Sequence, residues 1–126
     1  MGTEMPASIL IVDDDEVVAG VLKRVLTRLG HTVWQSNSAA QTLQLARLHN
    51  PQLALLDLCL PDGDGLEVGR GLRALDPEMN LILITAYPMR IREHPDLARD
   101  FAAVLIKPLD LPELRAIVES CLAPCG

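Results

Sequence analysis

Ile9-Leu10-Ile11-Val12-Asp13-Asp14-Asp15 is the stretch whose reading decides the fold class. Four apolar residues are too few for a helix, and Ile9, Ile11 and Val12 are β-branched. Such a run reads as a strand buried on both faces, as in a parallel sheet. Beyond Asp15 the apolar period changes. Val18, Val21, Leu22, Val25, Leu26 and Leu29 recur at helical spacing, with Asp15 placed to cap the start and Gly30 to stop the end.

The same alternation runs down the chain. A weaker strand spans 31–35, then Asn37-Ser38 caps a helix reaching about His49. Leu53-Ala54-Leu55-Leu56 is a clear third strand, ending in Asp57. The loop Leu58-Cys59-Leu60-Pro61-Asp62-Gly63-Asp64-Gly65 must turn sharply, and a helix over 66–75 stops at Asp76-Pro77. Leu81-Ile82-Leu83-Ile84 is the fourth strand, ending in Thr85. A helix is expected over 89–100, but Pro95 inside it costs roughly 3 kcal/mol, so a short, bent or restarted helix is predicted. Ala103-Val104-Leu105-Ile106 is the fifth strand, ending in Lys107-Pro108. Asp110-Leu111-Pro112-Glu113 opens the last helix with a cap, a first-turn proline and a Glu three residues on. Its inward face is Leu114, Ile117, Val118 and Cys121. Five strands alternating with five helices predict a single α/β domain, a doubly wound parallel sheet covered on both faces. The expected bounds are a tail over 1–8, the domain over 9–122 and a second tail over 123–126.

Composition agrees with one domain. The chain has 126 residues, 49% of them hydrophobic, enough for a core without staples. Trp34, Tyr87 and Phe101 are its only aromatics, so stacking on nucleic-acid bases is a poor fit. A net charge of −6 repels phosphate backbones and anionic membranes, while a divalent cation or a basic partner is easily accommodated. Cys59, Cys121 and Cys125 are odd in number and lack CxxC spacing; they read as free thiols in a reducing compartment. The sequence shows neither a signal-peptide pattern nor a span-length apolar run. A cytoplasmic protein with no direct nucleic-acid or membrane contact is expected.

In an open α/β sheet, ligands sit at the carboxyl ends of the strands. There the sequence places Asp13 and Asp14, Asp57, Thr85 and Lys107. Three carboxylates so close repel one another and raise each other's pKa. A hard cation such as Mg²⁺ relieves this, and Lys107 adds a second positive charge. A metal, a lysine and a hydroxyl together suit a phosphoryl group, leaving one carboxylate free as nucleophile. Each residue alone has an ordinary role open to it. The acidic triplet can cap a helix, Asp57 can start a turn, Thr85 can be structural and Lys107 can reach out to solvent. Their convergence on one sheet edge favours the functional reading.

The chain resembles a response-regulator receiver domain of two-component signalling, similar to the chemotaxis regulators. Ile9–Asp15 resembles the acidic first-strand motif and Leu55–Gly65 the phosphorylation loop. Ile84-Thr85-Ala86 resembles the switch segment and Ile106-Lys107-Pro108 the lysine–proline segment. The resemblance covers 9–122 and implies a flavodoxin-like strand order 2-1-3-4-5. It implies that Asp57 accepts phosphate from a histidine kinase or phosphotransfer protein in a phosphorelay. It further implies that Asp13, Asp14, Asp57 and the Cys59 carbonyl hold Mg²⁺, and that Thr85, Ala86 and Lys107 bind the phosphoryl. A cis Lys107–Pro108 bond is also implied. Such a domain is a signalling phosphoacceptor rather than an enzyme on a substrate. It switches a partner-binding face read by an effector domain or protein that the sequence leaves unknown. A second copy of the chain is a candidate partner through the fourth and fifth strand–helix units.

Two departures stand out. The family's aromatic switch position, three residues before the lysine, is Val104, with Phe101 the only ring nearby. Pro88, Pro95, Arg90 and Arg92 mark an unusual fourth helix. Cys59 and Tyr87 occupy positions that tune phosphate lifetime in relatives. Two rival readings remain. One is a degenerate receiver, an interaction module that works without phosphorylation. The other is a haloacid-dehalogenase-like phosphatase using Asp13 and Asp15, which leaves Asp57 and its glycine loop without a role.

Overall fold

A computed structural model describes residues 6–93 and 95–122. The strands are β1 (Ser8–Val12), β2 (Thr32–Ser36), β3 (Leu53–Asp57), β4 (Cys59–Leu60), β5 (Gly63–Asp64), β6 (Asn80–Thr85) and β7 (Ala103–Ile106). The helices are α1 (Glu16–Arg28), α2 (Ala39–His49), α3 (Gly65–Leu75), α4 (Met89–Arg92), α5 (Pro95–Ala98) and α6 (Leu111–Leu122). Five strands form one sheet in the order β2-β1-β3-β6-β7, every neighbouring pair parallel. Apart from the small antiparallel β4–β5 hairpin, this is the expected 2-1-3-4-5 order.

The apolar runs work by strand alternation. Ile9 and Ile11, Leu53 and Leu55, and Ile82 and Ile84 face one side, against Ala19, Leu22 and Leu26 of α1 and Leu114 and Val118 of α6. Leu10 and Val12, Ala54 and Leu56, and Leu81 and Leu83 face the other, against Ala46 of α2 and Leu66 and Leu72 of α3. Each fully buried leucine contributes about 1.5–3 kcal/mol relative to exposure. The local signals act as read. Asp15 caps α1 through the Val17 and Val18 amides, Ser38 caps α2 through Gln41, and Gly30 adopts φ 100° beyond α1. Ala7 is already buried and Ser8 already pairs with Thr32, so order begins before the apolar run. Residues 1–5 and 123–126, with Cys125 among them, lie outside the described residues; Cys59 and Cys121 are free thiols.

The fourth helix restarts as predicted, while full coverage of the sheet and the inward placing of Val21 are corrected. The fourth helix is two single turns, α4 and α5, on either side of residue 94. The α4 turn buries no residue. Coverage of the sheet is therefore incomplete at its β7 edge, where Val104 and Ile106 are exposed at 38% and 53%. Proline at 88 and 95 explains both, since each denies a longer helix its ladder. On α1, Val21 follows the helical spacing yet stands at the exposed margin of the face, 41% accessible. No described helix is long and apolar enough to cross a membrane.

Candidate functional site

Strand register assembles the site. Val12 aligns with Leu56 and Leu56 with Leu83, so Asp13 and Asp57 both fall one step beyond the same row. Asp57 aligns with Ile84, and Thr85 with Ile106, which puts Lys107 one step further. Oxygen atoms of Asp13, Asp14 and Asp57 lie within 4.8 Å of one another. Lys107 Nζ stands 3.1 Å from Asp57 Oδ2 and 3.3 Å from Asp13 Oδ2. Asp13, Asp57 and Thr85 are buried, whereas Asp14 is exposed at the rim.

Backbone bonds aim the carboxylates. Asp13 Oδ1 accepts from the Asp15 amide at 2.9 Å, and Asp57 Oδ1 accepts from the Cys59 amide at 3.2 Å. Each second oxygen thus faces the cluster. Asp13 Oδ2 is buried and forms no aligned hydrogen bond to any described donor, Lys107 being near but off-line. Burial pushes the Asp13 carboxyl up to about 6; the Asp15 amide opposes this, Asp57 adds to it, and Lys107 pulls it back in part. Burial works against the Lys107 charge, but Asp13 and Asp57 outweigh it and hold the ammonium above the usual lysine value.

Thr85 lies at the end of β6 with its hydroxyl oxygen accepting from the Tyr87 amide at 2.7 Å, and its carbonyl accepting from the Lys107 amide at 2.8 Å. Ala86 and Tyr87 are exposed next to it. The Lys107–Pro108 bond is cis. Cys59, two residues beyond Asp57, is exposed and opens the hairpin. Val104 is not part of the pocket: its side chain is on the uncovered edge of the sheet.

These side chains fit a hard divalent cation. A buried carboxylate oxygen without an aligned donor, beside two further carboxylates, is an all-oxygen acidic set of the kind Mg²⁺ takes. Lys107 brings a positive charge to the same cluster. Asp15, in contrast, turns its carboxylate to the α1 amides, so it does not serve as the second acid of a dehalogenase-like pair.

Residues 9–119 match the family model of the response regulator receiver domain. The chain belongs to that family. Curated relatives agree. Sporulation initiation phosphotransferase F of Bacillus subtilis is 31% identical over 120 residues, covering 94% of this chain and 95% of that one. The polar-differentiation response regulator DivK of Brucella anthropi is 30% identical, covering 94% and 98%. Among solved structures, the response regulator TrrA of Thermotoga maritima, in complex with Mg²⁺–BeF, superposes with a TM-score of 0.84 at 27% identity, covering 94% and 100%. This receiver domain also matches longer proteins. It spans 24% of the transcriptional regulator NtrC of Azospirillum brasilense and about half, 51%, of the response regulator MprA of a Mycobacterium species.

Three contributors to the site escaped the sequence reading. Gly65 is required because a Cβ there would run into the Asp57 carbonyl oxygen and the Leu58 backbone; a glycine closing the sharply turning loop after Asp57 is the signal that would have found it. Asp62 does more than turn the chain. Its two oxygens accept from the Ala39 and Ala40 amides, clamping the hairpin to the start of α2, and those amides hold its carboxyl below the usual range. Arg90 reaches from α4 to Asp64 at 2.8 Å. No local pattern announces a contact between residues 26 apart.

Proposed function

We propose that this receiver domain takes a phosphoryl group onto Asp57 from a phosphorylated histidine of a kinase or phosphotransfer protein. The observation that carries this is the Asp57 carboxylate itself: buried, aimed by the Cys59 amide, and set between Lys107 and two further acids. A carboxylate oxygen of Asp57 bonds to phosphorus as the phosphorus–nitrogen bond of the donor breaks, and the imidazole retains the electron pair. Asp13, Asp14, Asp57 and the Cys59 carbonyl would hold Mg²⁺, which would supply positive charge against the phosphoryl oxygens. Lys107 exchanges part of its pairing with Asp57 and Asp13 for the phosphoryl oxygens. Thr85 leaves the Tyr87 amide and donates its hydroxyl hydrogen to the phosphoryl, where the Ala86 amide also binds. That a relative was solved with Mg²⁺–BeF supports the same pairing of ion and anion here.

The phosphoryl adds about −1.5 to −2 charge. Movement of Thr85 toward it shifts the β6–α4 segment and so alters the face around α4, β7 and α6 that an effector domain or protein reads. A second copy of the chain is one candidate reader of that face. Cys59 and Tyr87 flank the phosphoryl and tune its lifetime, and Val104 replaces the aromatic that relatives couple to the threonine. The protein acts in the cytoplasm as a phosphoacceptor that catalyses only its own phosphorylation and slow dephosphorylation. A phosphorylation-independent interaction module is the second reading, favoured by the exposed Val104 and Ile106.

Incubation with acetyl phosphate and Mg²⁺, followed by intact-mass measurement, separates the two. One phosphoryl mass is expected on the native chain, and none after chelation of Mg²⁺ or in Asp57→Asn. A folded native chain that gains no mass favours the interaction module.

A further inference from the structure

The carboxyl ends of the neighbouring strands β3 and β6 carry Asp57 and Thr85, and a polar strap crosses the gap between them. Arg90 Nη2 lies 2.8 Å from Asp64 Oδ2, and Nη1 passes 3.9 Å from Cys59 Sγ. The anchor at Asp64 is firm. Its other oxygen accepts from the Leu66 amide at 2.8 Å, capping α3. The next residue, Gly65, packs on the Asp57 carbonyl and donates its amide to Leu58 O at 2.6 Å. On the opposite side the Arg90 amide donates to Tyr87 O at 3.1 Å, and the Tyr87 amide donates to Thr85 Oγ1. A chain of contacts thus runs from Thr85 through Tyr87, Arg90, Asp64, Gly65 and Leu58 to Asp57.

What makes this strap matter is the shortness of α4. A single turn with no fully buried residue has only the partly buried Ile91 to hold it against the core. Beside that one apolar contact, the ion pair is the polar tie between this turn, with the loop before it, and the hairpin beside Asp57. Resting on the reading of Asp57 as phosphoacceptor, we propose that Arg90 is a positioning residue whose strap to Asp64 holds the Thr85–Ala86 loop over Asp57 and sets the lifetime of the aspartyl phosphate. Hydrolysis forms a bond from a water oxygen to phosphorus and breaks the bond from phosphorus to the Asp57 oxygen. The carboxylate takes the electron pair, and the water protons pass to the released phosphate and solvent. A loop held in place limits the entry of that water; a released loop admits it.

The test loads the full chain with acetyl phosphate and Mg²⁺, removes the donor by rapid desalting, and follows release of inorganic phosphate. Arg90→Ala is expected to hydrolyse about two- to fivefold faster than the native chain, the range a half-exposed ion pair delivers. Asp64→Asn, which keeps the α3 cap, is expected to shift the same way, and Arg90→Lys to lie between. A purely electrostatic role gives opposite shifts, because Asp64→Asn frees the guanidinium charge; that result overturns the proposal. So does an unchanged lifetime in Arg90→Ala with native circular dichroism. Should Arg90→Ala unfold, equal lifetimes in Arg90→Lys, Asp64→Asn and the native chain overturn it. A native chain that never acquires phosphate defeats the reading of Asp57 instead, and is told apart by that first loading step.

Discussion

Replacing Asp13 with Asn tests the electrostatics of the pocket in isolation. The Asn side-chain oxygen still accepts the Asp15 amide bond, while the negative charge beside Asp57 is gone. Without metal, the native Asp13 carboxyl has its pKa raised from 3.8 to about 6, so the folded state holds this proton more tightly than the unfolded chain. Ionised Asp13 therefore destabilises the fold, an effect absent below about pH 4 and complete above about pH 6. The rise corresponds to a ceiling of ~3 kcal/mol. Water reaching the cluster past the exposed Asp14 screens it, so about 1–2 kcal/mol is the expected gain for Asp13→Asn at pH 7.5 in chelator. Urea denaturation followed by the fluorescence of Trp34, the sole tryptophan, measures it. The gap between variant and native chain is expected to close as pH falls from 6 to 4. Adding Mg²⁺ is expected to stabilise the native chain and leave the variant little changed. A variant that is less stable than the native chain in chelator, or a gap that ignores pH, refutes this reasoning.

Other outcomes rest on the same contacts. Lys107→Met leaves Asp13 and Asp57 without their shared cation; a loss of about 1–3 kcal/mol in chelator is expected, read by urea midpoint, together with much slower labelling by acetyl phosphate. Gly65→Ala forces a methyl into the Asp57 carbonyl, and a cost of about 1–3 kcal/mol plus impaired labelling is expected from the same two assays. Asp62→Asn weakens the clamp on α2. Because the amides lower the Asp62 pKa, the native chain is expected to melt higher than this variant at neutral pH. That advantage is lost as pH falls through the folded carboxyl's lowered pKa, which thermal melts at several pH values check.

The sheet was readable because each of its strands except β2 is a short apolar run, and because the polar residue after each run falls at the ligand-bearing edge. Parallel register then did the remaining work: once Val12 lies beside Leu56, Asp13 and Asp57 must meet. Asp15 and Ser38 were legible as caps since capping is a local chemistry. Long-range polar contacts were not. Arg90 and Asp64 lie 26 residues apart and meet because the ends of β3 and β6 are neighbours, and Asp62 finds the α2 amides only after the hairpin folds over. The two prolines announced a broken fourth helix, but its consequence, the exposure of Val104 and Ile106, needs the position of β7 at the sheet edge.

Reductive trapping locates the reactive carboxylate most directly. Borohydride converts an aspartyl phosphate to homoserine, and peptide mass spectrometry reads the position. After treatment with acetyl phosphate and Mg²⁺, homoserine is expected at residue 57 and at no other. Homoserine at residue 13, or a labelled chain with none, contradicts the assignment of Asp57.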